Sequence, residues 1–194
     1  MTRNFSLGFG FFFLLLAWAG PLAQLAKSAF YGHMIMHMLV VAVAAPLLAF
    51  GIVDSKYDPT GNFPLLFAPI PAAVGELIIV WAWHAPKLHL FARHTFWGLL
   101  LEQGMFLLAG VWVWLSSFGN KAAGVIGLLL TSMHMTFLGA LLSLSSRPLY
   151  IHHDLNDQHI GGVIMLIVGG ISYLTGGLWL TLKLLKEKKY EELA

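Results

Sequence analysis

The sequence predicts an all-α protein, a polytopic transmembrane helix bundle of about six spans, and three observations support this fold class. Of its 194 residues, 58% are hydrophobic and only 10% are charged, whereas soluble domains carry about 25% charged residues. The mean hydropathy is +0.78. Apolar segments long enough to cross about 30 Å of hydrocarbon follow one another along the chain. Since only short connections remain between them, residues 1–194 are predicted to form a single integral membrane domain.

Six segments account for the predicted helices in chain order. The uncharged ones are residues 5–26, 28–53, 122–146 and 158–182, and two more contain one carboxylate inside the span, residues 59–86 with Glu76 and 94–120 with Glu102. Each is long enough for a helix of about 20 residues. The first segment is too long for a removable signal peptide and lacks a small-residue cleavage pattern, so it counts as the first helix.

The distribution of basic residues predicts that both termini lie in the cytoplasm. An even number of spans places both termini on one side of the membrane, and that side then carries more Lys and Arg, as cytoplasmic loops do. Its basic residues are Arg3, Lys56, Lys121, Lys183, Lys186, Lys188 and Lys189, against Lys27, Lys87, Arg93 and Arg147 on the other side. The predicted location is a bacterial inner membrane, with the lipid bilayer as the immediate partner.

Charge and cysteine content exclude several function classes. A net charge of +2 without a basic stripe argues against nucleic-acid binding. The absence of cysteine excludes thiolate copper chaperone motifs, redox CxxC motifs, iron–sulfur ligation and covalent haem attachment. Any metal chemistry therefore depends on His, Met, Asp and Glu.

Eight of the nine histidines fall in three short stretches that the six-helix arrangement places at the outer end of the bundle. The stretches are GHMIMHM with His33 and His37, WAWHAPKLHLFARH with His84, His89 and His94, and IHHDLNDQH with His152, His153 and His159. Imidazole binds metals and haem and carries protons near neutral pH. A functional site is therefore expected at this end.

The first stretch combines imidazole and thioether groups. A spacing of four residues puts His33 and His37 one turn apart on one helix face, while Met34 and Met38 repeat the spacing on the adjoining face. This ligand set suits copper, particularly Cu(I). The alternative is that the histidines form hydrogen bonds to neighbouring helices and the methionines fill the core.

Two carboxylates lie inside predicted spans and are costly there when ionised. Glu76 precedes His84 by eight residues, and Pro86 ends that helix just after His84. Glu102 lies about two turns below His94 and is expected to face the bundle interior, neutral or hydrogen-bonded. Each is either part of a ligand or proton-relay column or a buried carboxyl group held by a neighbouring helix.

The third stretch leads into the last helix. Asp157 stands where an N-cap is expected, and its carboxylate can also bind a metal or orient a ligating imidazole. His152 and His153 are adjacent and project differently, so only one of them is expected to take part. His134 is the exception to the clustering, since it falls in the middle of the fifth helix. It is either a packing group or part of a copper path through the bundle.

Five segments, in order, resemble the CtaG family of cytochrome c oxidase assembly factors. They are HMIMHMLVVAVAAPLLAFG (33–51), WAWHAP (81–86), LEQGMFLLAGVWVW (101–114), LGALLSLSSRPLY (138–150) and DQHIGGVIM (157–165). The resemblance implies a role in maturing a haem-copper oxidase by handling copper for its catalytic subunit, with oxidase subunits or other assembly factors as partners. It assigns the matching polar positions to His33, His37, His84, Glu102 and Asp157. Many relatives have Glu-His where this chain has Glu102-Gln103, and His94 is the candidate substitute.

Three hypotheses follow, besides a channel or transporter subunit. The first is a non-enzymatic copper-handling factor, the second a membrane zinc hydrolase in which Asp157 activates water, and the third a b-type haem carrier that pairs His33 or His37 with His94 or His159. For the first, we predict a copper site at the outer end that contains His33, His37 and His84. At least one of His94, Asp157 and His159 joins them, and Met34 or Met38 completes the site.

Overall fold

A computed structural model describes residues 2–151 and 153–191, which form nine α-helices and no strand. The predicted all-α class is therefore confirmed. The helices are α1 Arg3–Ala19, α2 Pro21–Ser28, α3 Phe30–Met38, α4 Ala45–Ile52, α5 Pro69–His84, α6 Pro86–His94, α7 Phe96–Gly119, α8 Lys121–Leu144 and α9 Leu155–Glu191, and a π-helical segment, Leu39–Ala44, joins α3 to α4.

The helices run back and forth between two ends of the bundle. At one end, Tyr150 donates a hydrogen bond to the carbonyl of His84 at 2.8 Å. We call this the histidine end. At the opposite end, Lys121 Nζ lies 2.5 Å from Glu187 Oε1, which joins the start of α8 to the last turns of α9. The predicted gathering of the histidine stretches at one end of the bundle thus agrees with the structure.

Helix length decides how many passes can span a bilayer. Within the described residues, four helices are long and apolar enough, namely Phe30–Ile52, Phe96–Gly119, Lys121–Leu144 and Leu155–Glu191, and the bent pair Arg3–Ala19 and Pro21–Ser28 makes a fifth if it counts as one span. Helix α5 has 16 residues and is about 24 Å long, less than the roughly 30 Å of a hydrocarbon core. The prediction of about six spans is therefore approximate.

The π-helical segment follows directly from Pro46. Proline has no N–H, so the carbonyl of Ala42, four residues earlier, loses its helical donor. The N–H of Ala45 bonds to Val40 instead of Val41, which frees a second carbonyl. Side chains from other helices fill both positions: Trp114 donates to the Val41 carbonyl at 3.0 Å and Ser172 to the Ala42 carbonyl at 2.7 Å. The freed backbone groups thereby join α3 and α4 to α7 and α9.

Helices α8 and α9 approach closely because glycines meet at their crossing. A Cβ atom added to Gly162 would lie 2.6 Å from the Ser143 nitrogen and 2.7 Å from the Gly139 carbonyl oxygen. In a membrane there is no hydrophobic driving force between helices, so their association depends on close packing, and small residues allow the backbones to approach. The glycines that the sequence scatters through these helices thus set their separation.

A buried histidine cluster as candidate metal site

Four imidazole rings from three helices meet inside the histidine end. They belong to His33 and His37 on α3, His84 at the last residue of α5 and His89 on α6, and we call them the histidine cluster. Ring centroids lie 4.8 Å apart for His33 and His89, 5.4 Å for His33 and His84, and 5.1 Å for His37 and His84. All four side chains are buried.

Local sequence places each ring. His33 and His37 lie one helical turn apart, so their rings are nearly parallel, with centroids 6.3 Å apart. Ala85 adopts an extended conformation before Pro86, because the residue preceding proline avoids helical angles. The chain therefore turns between His84 and His89 and returns the second imidazole towards the first. Phe106 of α7 packs against His37, with ring centroids 4.1 Å apart, on one side of the cluster.

Most of the imidazole nitrogens in the cluster have no hydrogen-bond partner within the described chain. His84 Nδ1 lies 2.7 Å from the Val80 carbonyl oxygen, so Nδ1 carries the hydrogen and Nε2 keeps its lone pair. That Nε2 and both ring nitrogens of His33, His37 and His89 are buried without partners. Buried polar atoms are nearly always paired, and each unpaired one costs about 1–3 kcal/mol. Several buried imidazole lone pairs in one place are a donor set of the kind that metal ions bind.

Glu102 adds a carboxylate to the cluster. It is completely buried, as the sequence predicts, and its Oε2 accepts hydrogen bonds from Arg93 Nη2 and, at 3.1 Å, from Gln103 Nε2. The same oxygen lies 3.7 Å from His33 Nδ1. One ligand atom from each of His33, His89 and Glu102 lies within 4.8 Å of the others. Arg93 neutralises the carboxylate, so the pair brings no net charge into the bundle.

Three of the ring spacings in the cluster are compatible with imidazoles that share an ion, whereas His33 and His37, 6.3 Å apart, are wider. Two imidazoles on a tetrahedral ion, with metal–nitrogen bonds of about 2.0–2.1 Å, have centroids roughly 5 Å apart, close to the 4.8, 5.1 and 5.4 Å observed.

A cavity of about 190 Å³ leads from the surface of the histidine end to the cluster. Its lining includes His89 and carries basic groups without any Asp or Glu among the described residues: Lys27, Lys87, Arg93, His94 and His153. Burial, and then the charge of Arg93, lowers the pKa of His89 to about 2. His89 is therefore a neutral imidazole at pH 7, as a metal ligand must be.

Asp157 has a different role from the N-cap that the sequence predicts. Helix α9 begins at Leu155, and Asp154 Oδ1 accepts the cap hydrogen bond from the Asp157 N–H at 2.7 Å. The Asp157 carboxylate instead accepts from the N–H groups of Phe30 and Tyr31, at 2.7 and 2.8 Å. It therefore caps α3, the helix that carries His33 and His37, because the first N–H groups of that helix have no partner of their own.

The remaining predicted ligands lie outside the cluster. His159 Nε2 bonds to the Ser145 carbonyl at 2.8 Å, and His153 Nδ1 lies 3.0 Å from Asp157 Oδ2. Met34 and Met38 face α9: Cβ atoms added to Gly161 and Gly169 would lie 3.1 Å from Met34 Cγ and 3.8 Å from Met38 Sδ. The predicted His152 lies outside the described residues, and His94 lines the cavity rather than the cluster.

Two members of the site escape prediction from the sequence. His89 and Arg93 stand four residues apart on the short helix α6, which the six-span reading treats as a connection. The spacing of four was the available signal, since it puts the imidazole and the guanidinium group on one helix face, as it does for His33 and His37. That face of α6 lies at the same end of the bundle as Glu102, so Arg93 was a candidate partner for its carboxylate.

Comparison with known proteins finds a matching family model. A family model described as cytochrome c oxidase caa3 assembly factor, Caa3_CtaG, matches residues 1–187. No curated protein and no solved structure gives a significant match. The match covers all nine helices except the last residues of α9, and it confirms the family suggested by the five sequence segments. The chain therefore belongs to the Caa3_CtaG family of cytochrome c oxidase caa3 assembly factors.

Proposed function

We propose that this assembly factor binds a copper ion in the histidine cluster and passes it to the oxidase that it helps to assemble. One observation carries the proposal, namely that the nitrogens of His33, His37 and His89 and the Nε2 of His84 are buried and unpaired. A folded chain tolerates such a set when a ligand satisfies it. A haem-copper oxidase needs copper, so a metal site in its assembly factor has an evident cargo.

The donors divide into two kinds. Neutral imidazoles supply the lone pairs, and His84 is oriented by its hydrogen bond to the Val80 carbonyl, as ligating histidines commonly are. Glu102 is held by Arg93 and Gln103 and supplies a carboxylate oxygen beside His33. Copper accepts both nitrogen and oxygen ligands. In this proposal Met34 and Met38 do not bind the metal. Their side chains support the site by packing α3 against α9.

The alternative of a zinc hydrolase is less well supported. In that hypothesis Asp157 activates the metal-bound water, but both oxygens of Asp157 accept hydrogen bonds from the backbone of α3. Membership of an assembly factor family favours a non-catalytic role.

We also propose that both termini lie in the cytoplasm. The basic residues of α9 are then on the cytoplasmic side of the membrane, and the histidine end faces outwards.

Metal analysis of purified protein tests the proposal. Protein is prepared under reducing, copper-replete conditions as wild type, as the His33→Ala, His37→Ala variant, and as a His159→Ala control that removes an imidazole at the same end but outside the cluster. We expect copper in the wild type and control and its loss from the double variant, together with lower oxidase activity in copper-limited cells. Equal copper in all three proteins, or full oxidase activity with the double variant, would refute the proposal.

A further inference from the structure

A second buried polar group lies deeper in the bundle than the histidine cluster. Glu76 on α5 is completely buried, and its Oε1 accepts a hydrogen bond from the hydroxyl of Tyr173 at 2.9 Å. Its other oxygen, Oε2, lies 3.9 Å from Nε2 of His134, and the buried hydroxyl of Thr131 is a further donor to this carboxyl group. No Lys or Arg pairs with Glu76 among the described residues. An unpaired carboxylate in a membrane interior is expensive, so the geometry indicates a neutral carboxyl group.

Charge balance suggests that Glu76 compensates the charge of a cation bound in the cluster. Among the described residues, Glu76 and Glu102 are the only completely buried carboxylates. Arg93 already neutralises Glu102, and the four imidazoles are neutral ligands. A cation that enters the cluster therefore adds an uncompensated positive charge to a low-dielectric interior, and Glu76 is the remaining buried group that can supply the opposite charge.

Glu76 is near enough to act on the cluster. It precedes His84 by eight residues on α5, which corresponds to about 12 Å along the helix. Tyr173, its hydrogen-bond donor, also lies 3.4 Å from the carbonyl oxygen of Val41, one turn after His37. At about 12 Å and an effective dielectric constant of about 20, two opposite unit charges attract each other enough to change an affinity about tenfold.

We propose that Glu76 is a proton-binding site that loses its proton when a metal ion occupies the histidine cluster. This proposal rests on the proposed function. The O–H bond of the carboxyl group breaks heterolytically, its electron pair stays on the carboxylate, and the proton leaves for water with His134 Nε2 as the nearest base. The oxidation state of the metal does not change. Tyr173 donates to Oε1 in both states and stabilises the anion.

Infrared difference spectroscopy and proton counting test this proposal on the purified full chain, with Cu(I) ions added without oxygen. Three proteins are compared, namely the wild type, Glu76→Gln and, as control, Glu187→Gln, which removes the acid that pairs with Lys121 at the opposite end. We expect a carboxyl C=O band in the metal-free wild type and control that is absent from Glu76→Gln. Metal should abolish this band, Glu76→Gln should release one proton fewer per ion, and its affinity should fall about tenfold.

The outcomes separate this inference from the proposed function. If the metal-free wild type lacks the band, Glu76 is not protonated and the inference is refuted whatever the metal does. If the band and the proton count persist unchanged in protein loaded with Cu(I), the inference alone is refuted. If the wild type binds no Cu(I), the proposed function is refuted, and charge compensation by Glu76 is refuted with it.

Discussion

Replacing Arg93 by Met should destabilise the protein strongly, because it leaves the buried carboxylate of Glu102 with one donor, Gln103. Breaking a buried ion pair by removing one partner costs about 3–5 kcal/mol. Arg93 Nη1 also donates to the carbonyl of Ala26 at 3.0 Å, and loss of that bond adds about 1 kcal/mol. Protonation of Glu102 limits the total, so we expect a loss of about 4 kcal/mol. For a chain of this length, that corresponds to a fall in Tm of roughly 10 °C.

The assay is thermal unfolding in mild detergent followed by tryptophan fluorescence, since the chain has seven tryptophans and no cysteine for thiol dyes. Adding Glu102→Gln to Arg93→Met should restore most of the loss, because the remaining amide carries no charge. Lys87→Met, at an exposed position on the cavity rim, is the matched control and should change Tm little. The reasoning fails if Arg93→Met lowers Tm no more than the control, or if the double variant is as unstable as the single one.

Three further predictions concern packing, topology and pH. Gly162→Ala should destabilise the protein by about 1–3 kcal/mol because its methyl group meets the backbone of α8, whereas Gly177→Ala, where a Cβ atom would have nothing within 4 Å, should be neutral; equal Tm values would contradict the glycine contact. Cysteine at exposed Asn156 should react with an impermeant thiol reagent in intact cells and cysteine at exposed Glu191 should not; the reverse labelling would invert the proposed orientation. The fold lowers the pKa of His89, through burial first, so the unfolded chain binds the extra proton. The contribution of His89 to the free energy of unfolding should therefore fall as the pH drops below about 6.5, by at most about 1.4 kcal/mol per unit, and His89→Gln should flatten the overall slope by up to that amount in denaturation series at several pH values.

The helices were predictable where composition alone decides them. Residues 94–120 and 122–146 match α7 and α8 closely because apolar runs of this length have few other stable forms in a bilayer. The third segment was predicted as residues 59–86, yet its helix begins only at Pro69. Asp58 Oδ1 accepts from the Thr60 N–H at 2.9 Å and holds a turn there, and Pro64 follows. Hydropathy does not detect such turns.

The site was predictable only where local periodicity determines it. The spacing of His33 and His37 fixes their common face in any helix, and the position of His84 before Pro86 fixes the end of α5. The carboxylate of Asp157 binds the N-terminus of α3, 127 residues earlier in the chain. No pattern near residue 157 predicts this partner. The same holds for Met34 and Met38, because the helix that faces them is decided by the packing of glycines on α9.

The two halves of the histidine cluster are held in place by different kinds of bond. To slide along its axis, α3 would have to break the bonds that Trp114 and Ser172 make to its continuation, each worth about 0.6–1 kcal/mol in a membrane. His33 and His37 are thus anchored at constant depth. Helix α6 lies between two residues with extended backbone, Ala85 and Thr95, but Arg93 bonds it to Glu102 and to the carbonyl of Ala26, so His89 is held as well. Both walls of the cluster are therefore preorganised, and an ion entering it would find the imidazoles already in place without the cost of ordering them.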